Sequence, residues 1–232
     1  MKAIDIKHSI LLEIDLQNDF CPAYINSRGE QMPPGALAVT SGDRAIPHLN
    51  KLANAIAAAG GRVALSQDWH PKGHVSFASS HNGKKIGEII DLEGTSQFLW
   101  PDHCVQGSWG ADFHEMLDLN PVSLIIRKGF RPGLDSYSAF FENDRKTSTG
   151  LEHWLKGLGI RQIIVGGLAT DYCVFYSVMD ALNSGFEVIV ARDAVFGVDI
   201  PAGSVENAVD AMKKGGAVFL GSQEILRGFD GA

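Results

Sequence analysis

The fold is decided by the stretch Gln162-Ile163-Ile164-Val165-Gly166-Gly167-Leu168-Ala169-Thr170-Asp171-Tyr172-Cys173. Its apolar run is typical of a buried strand, the paired glycines indicate a tight turn, and the residues after Thr170 predict a helix with Thr170 as its N-cap. Cys173 would then lie in the first helical turn, where the helix dipole and free N–H groups favour a thiolate and can bind an oxyanion. Taken alone, the stretch is equally compatible with a cysteine that packs as a small apolar side chain.

The alternation of strands and helices continues outward from this stretch in both directions. The predicted strands are Ser9–Ile14, Arg62–Ser66, Val122–Arg127, Gln162–Gly166, Glu187–Ala191 and Ala217–Leu220. The predicted helices are Arg44–Ala59, Gly150–Leu158, Asp171–Asn183 and Val205–Lys214. Such alternation predicts a mostly parallel sheet covered by helices on both faces, a three-layer α/β/α fold. A chain of 232 residues is suited to one such domain, spanning residues 1–232.

One long segment breaks this rhythm. Residues 70–120 show little regular pattern and are rich in His, Trp, Gly and Ser. Long irregular segments inside a compact domain are usually functional, so we expect this one to form a metal site or a lid. Within it, Lys84–Phe98 carries a strand-like run, Ile86–Leu92, which is compatible with a hairpin over the site.

Composition narrows the class of protein and its partners. The net charge is −7 and no basic cluster occurs, which argues against nucleic acid as a partner. The apolar runs are too short to span a membrane, and Glu13 and Asp15 interrupt the only run that resembles a signal sequence. The three cysteines form no CxxC pair, which is typical of a reducing compartment. We therefore expect a cytoplasmic protein without a membrane partner.

Reactive side chains follow four of the predicted strands. They are Asp15, Asp68, Lys128 and Cys173. Because the carboxyl ends of parallel strands meet at the ligand crevice, we expect these groups to lie together. Asp15 could take the proton of the thiol, and Lys128 could hold Asp15 ionised and stabilise a thiolate. Each residue by itself also has a purely structural interpretation: Asp15 could cap a turn, and Lys128 could form an ion pair at the surface.

A second set of residues suggests a metal site. Asp68 and His70 follow the second strand, and His103 lies at the far side of the irregular segment. One carboxylate with two imidazoles suits one divalent ion, Zn²⁺, Fe²⁺ or Mn²⁺, with open positions for water or substrate. His74 is a further candidate ligand. Each histidine alone is equally compatible with a hydrogen-bonded loop residue.

Five short motifs, in order along the chain, carry a family resemblance. They are Ile14-Asp15-Leu16-Gln17-Asn18-Asp19-Phe20, Gln67-Asp68-Trp69-His70-Pro71, Trp100-Pro101-Asp102-His103-Cys104-Val105, Arg127-Lys128-Gly129 and Ala169-Thr170-Asp171-Tyr172-Cys173-Val174. With them the chain resembles the nicotinamidase/pyrazinamidase branch of the isochorismatase-like cysteine hydrolases. The resemblance covers nearly the whole chain, and the long insert Lys84–Phe98 is its one visible departure.

The resemblance implies roles for particular residues. It implies a catalytic triad of Asp15, Lys128 and Cys173, and metal ligands Asp68, His70 and His103, with a further ligand that His74 or Ser76 could supply. It also implies a cis peptide at Leu168–Ala169 that aims N–H groups at the oxyanion, and a ring pocket lined by Phe20, Trp100 and Tyr137. The implied sheet has six parallel strands in the order 3-2-1-4-5-6.

The implied activity is hydrolysis of nicotinamide to nicotinic acid and ammonia through a Cys173 thioester, with pyrazinamide as a further substrate and a role in NAD salvage. An alternative is another isochorismatase-like amidohydrolase that acts on a carbamoyl or related small substrate. A second alternative is a non-catalytic metal-binding or partner-binding module. Members of such families often assemble into homo-oligomers, and a homo-oligomer is compatible with this sequence.

Overall fold

Six parallel strands form the central sheet of the computed structural model, which describes residues 4–92 and 94–229. In chain order they are β1 (Ser9–Ile14), β2 (Arg62–Asp68), β3 (Val122–Lys128), β4 (Gln162–Leu168), β5 (Glu187–Phe196) and β6 (Val218–Leu220). Their spatial order is β3-β2-β1-β4-β5-β6, which confirms the predicted order 3-2-1-4-5-6. Strand β1 therefore lies at the centre, between β2 and β4, and the strand order reverses beside it.

Helices cover both faces of the sheet, as the sequence predicted. They are α1 (Ala45–Ala58), α2 (Leu151–Gly157), α3 (Phe175–Asn183), α4 (Ser204–Lys214) and α5 (Ser222–Arg227). On one face Leu11 of β1 packs in a core cluster with residues of α1 and α5. On the other face Ile10 and Leu12 pack in a cluster with residues of α2, α3 and α4. Because β1 is buried on both faces, its sequence is a nearly continuous apolar run.

The turn after β4 differs from the prediction. Residues Thr170–Val174 form a π-helical turn in which Val174 N–H donates to Ala169 O, and α3 begins only at Phe175. Thr170 is not the N-cap, because the turn starts after Ala169 and no side chain caps it. The neighbouring Asp171 carboxylate instead accepts the N–H groups of Val198 and Asp199, which fixes the turn to the loop after β5.

The irregular segment contains a short hairpin. Its two antiparallel strands are Ile89–Leu92 and Thr95–Phe98, so the strand predicted from Ile86 begins three residues later. A second small antiparallel pair joins Tyr24–Ile25 to Gln31–Met32. Within residues 4–92 and 94–229, no helix combines the length and the apolar character needed to cross a lipid bilayer.

Candidate active site

Four strand ends deliver their reactive side chains to one point. Asp15 follows β1, Asp68 ends β2, Lys128 ends β3, and Cys173 follows β4 in the π-helical turn. The Lys128 Nζ lies 2.8 Å from Asp15 Oδ2, 2.7 Å from Asp68 Oδ1 and 3.4 Å from Cys173 Sγ. The structure thus brings together all four groups that the sequence placed at this edge of the sheet.

Asp15 is held rigidly in an unusual backbone conformation. Its φ is +48°, a region that non-glycine residues seldom occupy and that often marks functional positions. Ser66 Oγ donates to Asp15 Oδ1 at 2.6 Å, and the Asp15 N–H donates to Ser66 Oγ at 3.2 Å. Burial raises the pKa of the Asp15 carboxyl, and the Lys128 ammonium opposes this effect. Asp15 is therefore a stronger proton acceptor than an exposed aspartate.

Lys128 and Cys173 respond to burial in different ways. Burial disfavours a charged Lys128, but the Asp15 and Asp68 carboxylates outweigh it and raise the pKa of the ammonium well above its usual value. Burial raises the pKa of the Cys173 thiol well above its usual value, and the ammonium of Lys128 only partly offsets it. The helix-terminal activation expected from the sequence is therefore outweighed, so the resting cysteine keeps its proton. Asp15 and Cys173 lie with their ligand atoms within 4.8 Å of each other, and a hydrogen bond with Asp15 is among the smaller contributions that raise the pKa of the thiol.

Asp68, His70 and His103 form a buried group whose ligand atoms all lie within 4.8 Å of one another. His70 Nδ1 donates to Gly129 O and His103 Nδ1 donates to Pro101 O, both at 2.8 Å. Because a carbonyl only accepts, each neutral ring turns an unprotonated Nε2 toward Asp68 Oδ2, at 3.2 and 3.7 Å. Burial opposes a charged His70, but the Asp68 carboxylate raises the pKa of this ring, so a proton on Nε2 is one way to satisfy the carboxylate. With both rings neutral, one carboxylate oxygen and two imidazole nitrogens form a donor set that fits a divalent metal.

His74 lies beside this group, with its ring centroid 4.3 Å from that of His70. Both of its ring nitrogens already have partners. Nε2 donates to Leu134 O at 3.2 Å, and Nδ1 accepts from Ser76 Oγ at 2.7 Å. His74 would have to give up one of these two contacts in order to bind a metal, whereas the Ser76 hydroxyl keeps its oxygen lone pairs while it donates.

A cavity of about 430 Å³, counted with the space at its open mouth, borders Cys173. The three side chains expected to line a ring pocket all border it: Phe20, Trp100 and Tyr137. Trp100 Nε1 donates to the Tyr137 hydroxyl at 3.0 Å, which fixes both rings. The peptide bond Leu168–Ala169 is cis, and Ala169 borders the same cavity.

Sequence reasoning missed several residues of the site. The cavity is also bordered by Leu37, Val39, Asp135, Tyr172 and Val198. Of these, Tyr172 could have been found, because it directly precedes the cysteine. Gln17 was also missed as a supporting residue: its side-chain amide donates to Asp68 O and accepts the Asp68 N–H, both at 2.8 Å. It thereby fixes the backbone of a candidate metal ligand.

Comparison with known proteins agrees with this geometry. The family model described as the isochorismatase domain matches residues 9–224. The nicotinamidase of Escherichia coli is 44% identical over 90% of this chain and 92% of its own. A solved nicotinamidase/pyrazinamidase structure from Acinetobacter baumanii is 43% identical with a TM-score of 0.85, covering 94% of this chain and 98% of its own. The pyrazinamidase of Pyrococcus horikoshii, solved in complex with zinc, is 33% identical with a TM-score of 0.72, covering 92% and 99%. The chain belongs to the isochorismatase domain family and, within it, to the nicotinamidase and pyrazinamidase group.

Proposed function

We propose that this protein hydrolyses nicotinamide to nicotinic acid and ammonia. One observation carries the proposal: the Lys128 ammonium contacts Asp15, Asp68 and Cys173 at the floor of a cavity walled by aromatic side chains. A thiol next to a carboxylate is suited to attack a carboxamide, and flat aromatic walls suit a flat ring. The nicotinamidase relatives, similar over most of the chain, support the same substrate.

In the proposed reaction, Cys173 Sγ attacks the carboxamide carbon while its proton passes to Asp15. A C–S bond forms and the carbonyl electron pair moves onto oxygen, where the N–H groups of Ala169 and Cys173 would bind it. Asp15 then gives the proton to the amide nitrogen, the C–N bond breaks and ammonia leaves. Water attacks the thioester and Asp15 accepts its proton. The C–S bond then breaks to release nicotinic acid, and Asp15 passes the proton to sulfur, which restores the Cys173 thiol. Lys128 stays charged throughout and balances the negative charge that develops on sulfur.

The aromatic residues Phe20, Trp100 and Tyr137 would hold the ring, and Asp68, His70 and His103 would hold the metal. When bound, a divalent metal supplies a Lewis acid at that side of the cavity. Zn²⁺, Fe²⁺ and Mn²⁺ all suit one carboxylate and two imidazoles, and zinc is the ion in the Pyrococcus horikoshii relative. His74 is retained as a further candidate ligand, for which it would have to give up its contact with either Leu134 O or Ser76 Oγ.

The wider assignments follow from this activity. We infer that pyrazinamide is a further substrate, that the product enters NAD salvage in the cytoplasm, and that nucleic acid is no partner. A homo-oligomer would be detected as a multiple of the 25.0 kDa chain mass in light scattering after size-exclusion chromatography.

The decisive experiment is ammonia release from nicotinamide with added divalent metal. We expect turnover by the wild type and none by Cys173→Ala. Cys21→Ala is the matched control, because Cys21 is also a buried free cysteine but packs in the core cluster of α1. Turnover by Cys173→Ala at the wild-type rate would refute the nucleophile, and inactivity of the wild type would refute the substrate.

A further inference from the structure

The hairpin Ile89–Leu92/Thr95–Phe98 turns one of its side chains inward. Gln97 is only 2% exposed, whereas its neighbour Ser96 on the same strand is exposed to solvent. Burying a primary amide is costly unless its hydrogen bonds are made. The hydrogen-bond partners of Gln97 therefore indicate which part of the protein this strand of the hairpin positions.

The main partner of Gln97 is a residue of the cavity wall. Gln97 Nε2 donates to Asp135 Oδ2 at 2.8 Å, and the Ser136 N–H donates to Asp135 Oδ1, also at 2.8 Å. Asp135 is buried and borders the cavity together with the candidate metal ligands. Without the Gln97 amide, one oxygen of a buried carboxylate would lose its donor, so the carboxylate would have to move.

The next residue of the hairpin supports a second part of the wall. The ring centroid of Phe98 lies 4.3 Å from that of Trp100, and Trp100 Nε1 donates to the Tyr137 hydroxyl. Two adjacent hairpin residues thus reach three wall residues: Asp135 directly, Trp100 by ring packing, and Tyr137 through Trp100. Gln97 itself is not among the residues that border the cavity.

We propose that Gln97 is a positioning residue that sets the shape of the ring pocket, and that the hairpin therefore determines which ring amides fit. The proposal rests on the proposed function and deepens it. Because Gln97 acts on the wall rather than on Cys173, Asp15 or Lys128, its loss affects substrate binding and leaves the chemical step intact.

The test uses Gln97→Leu, which keeps the bulk of the side chain but removes its donors. We expect KM for nicotinamide to rise about tenfold, as for the loss of a buried hydrogen bond to a charged group, with kcat changed less than about twofold. Discrimination against ring-methylated nicotinamides should fall at least about threefold, because a loosened wall tolerates the extra methyl group. Ser96→Ala, on the exposed side of the same strand, should change none of these values. Thermal unfolding of each variant checks that it is folded.

A rescue separates positioning from a general loss of packing. Gln97→Glu places two carboxylates side by side, and adding Asp135→Asn restores an amide–carboxylate hydrogen bond with donor and acceptor exchanged. We expect the double variant to recover most of the KM that Gln97→Glu loses. The proposal is overturned if Gln97→Leu has the KM and selectivity of Ser96→Ala, or if Asp135→Asn gives no recovery.

Direct binding distinguishes this proposal from the function on which it rests. In the Cys173→Ala background, calorimetric titration with nicotinamide should give a Kd about tenfold weaker when Gln97 is also replaced by Leu. A wild type that binds nicotinamide but releases no ammonia refutes the hydrolysis and leaves the binding comparison valid. A wild type that turns over normally, with an unchanged Kd in the Gln97→Leu background, refutes only the role of Gln97.

Discussion

The carboxyl of Glu13 offers a quantitative test of the electrostatics of this fold. Glu13 lies in the central strand β1, paired with Leu65 of β2 and Gly166 of β4. Both of its side-chain oxygens are buried, and neither has a hydrogen-bond partner within residues 4–92 and 94–229. Burial, with a smaller contribution from the Asp118 charge, raises its pKa to about 8. We predict that Glu13→Gln, which imitates the protonated acid, stabilises the protein at neutral pH.

The sign and size of this effect follow from proton linkage. The unfolded chain ionises Glu13 near its ordinary value of 4.5, whereas the folded chain keeps the proton up to about pH 8. The folded state therefore binds the extra proton between these values, and the free energy of unfolding falls by about 1.4 kcal/mol per pH unit as pH rises. By pH 7 the accumulated loss is about 3 kcal/mol, and above pH 8 it stays constant. Glu13→Gln removes this loss of stability, and below pH 4.5 it should leave the free energy of unfolding nearly unchanged.

The assay is urea unfolding of wild type and Glu13→Gln at pH 5, 7 and 8.5 under the same metal concentration. The difference in free energy of unfolding should grow with pH and reach about 3 kcal/mol at pH 7. Glu206→Gln is the control, because Glu206 is exposed on α4 and its substitution should give no such trend. Parallel pH profiles for wild type and Glu13→Gln would show that the folded protein already ionises Glu13, and the reasoning would fail.

Two further predictions concern the candidate site. Lys128→Met leaves the Asp15 and Asp68 carboxylates without their shared cation, so urea unfolding should show a free energy of unfolding lowered by about 3–5 kcal/mol. Adding Asp15→Asn should recover part of this loss, and an unchanged unfolding midpoint would contradict the buried ion pair. Gly129→Ala places a Cβ 2.5 Å from His70 Cε1, so calorimetric titration with Zn²⁺ should show a Kd raised about 10–100-fold. Gly133→Ala is the matched control, because a Cβ there meets no atom of the described part of the chain within 4 Å. Equal affinities of the two variants would refute the prediction.

The strands could be predicted because each one leaves a local pattern in the sequence, whereas their order was implied by the family resemblance. Apolar runs that end at Asp15 or at the paired glycines mark a strand and its carboxyl end within a few residues. The turn after β4 was predicted less well. The expected α-helix capped by Thr170 is a π-helical turn in the structure, and its Asp171 carboxylate accepts an N–H group from the loop after β5, a tertiary contact that leaves no local pattern in the sequence. The roles of Asp15, Lys128 and Cys173 remain predictions.

Buried polar contacts across the chain could not be predicted. Gln97 and Asp135 are 38 residues apart, and Gln17 and Asp68 are 51 apart, so no local period connects them. Glu13 illustrates the same limit. In the sequence Glu13 only interrupts an apolar run. In the structure its carboxyl is buried, and its strand β1 lies between β2 and β4.

The position of Lys128 makes two functions of the protein interdependent. One cation neutralises Asp15, the proposed proton carrier, and Asp68, a candidate metal ligand. Linkage is reciprocal, so protonation of Asp15 would change the affinity of the site for a metal by the same factor by which metal binding changes the proton affinity of Asp15. A metal on Asp68 would share the negative charge that Lys128 otherwise balances, so replacing His70 and His103 would also alter the electrostatics of Asp15. The ammonium of Lys128, at the end of β3, therefore couples the charge of the proposed proton carrier to the charge of the candidate metal site.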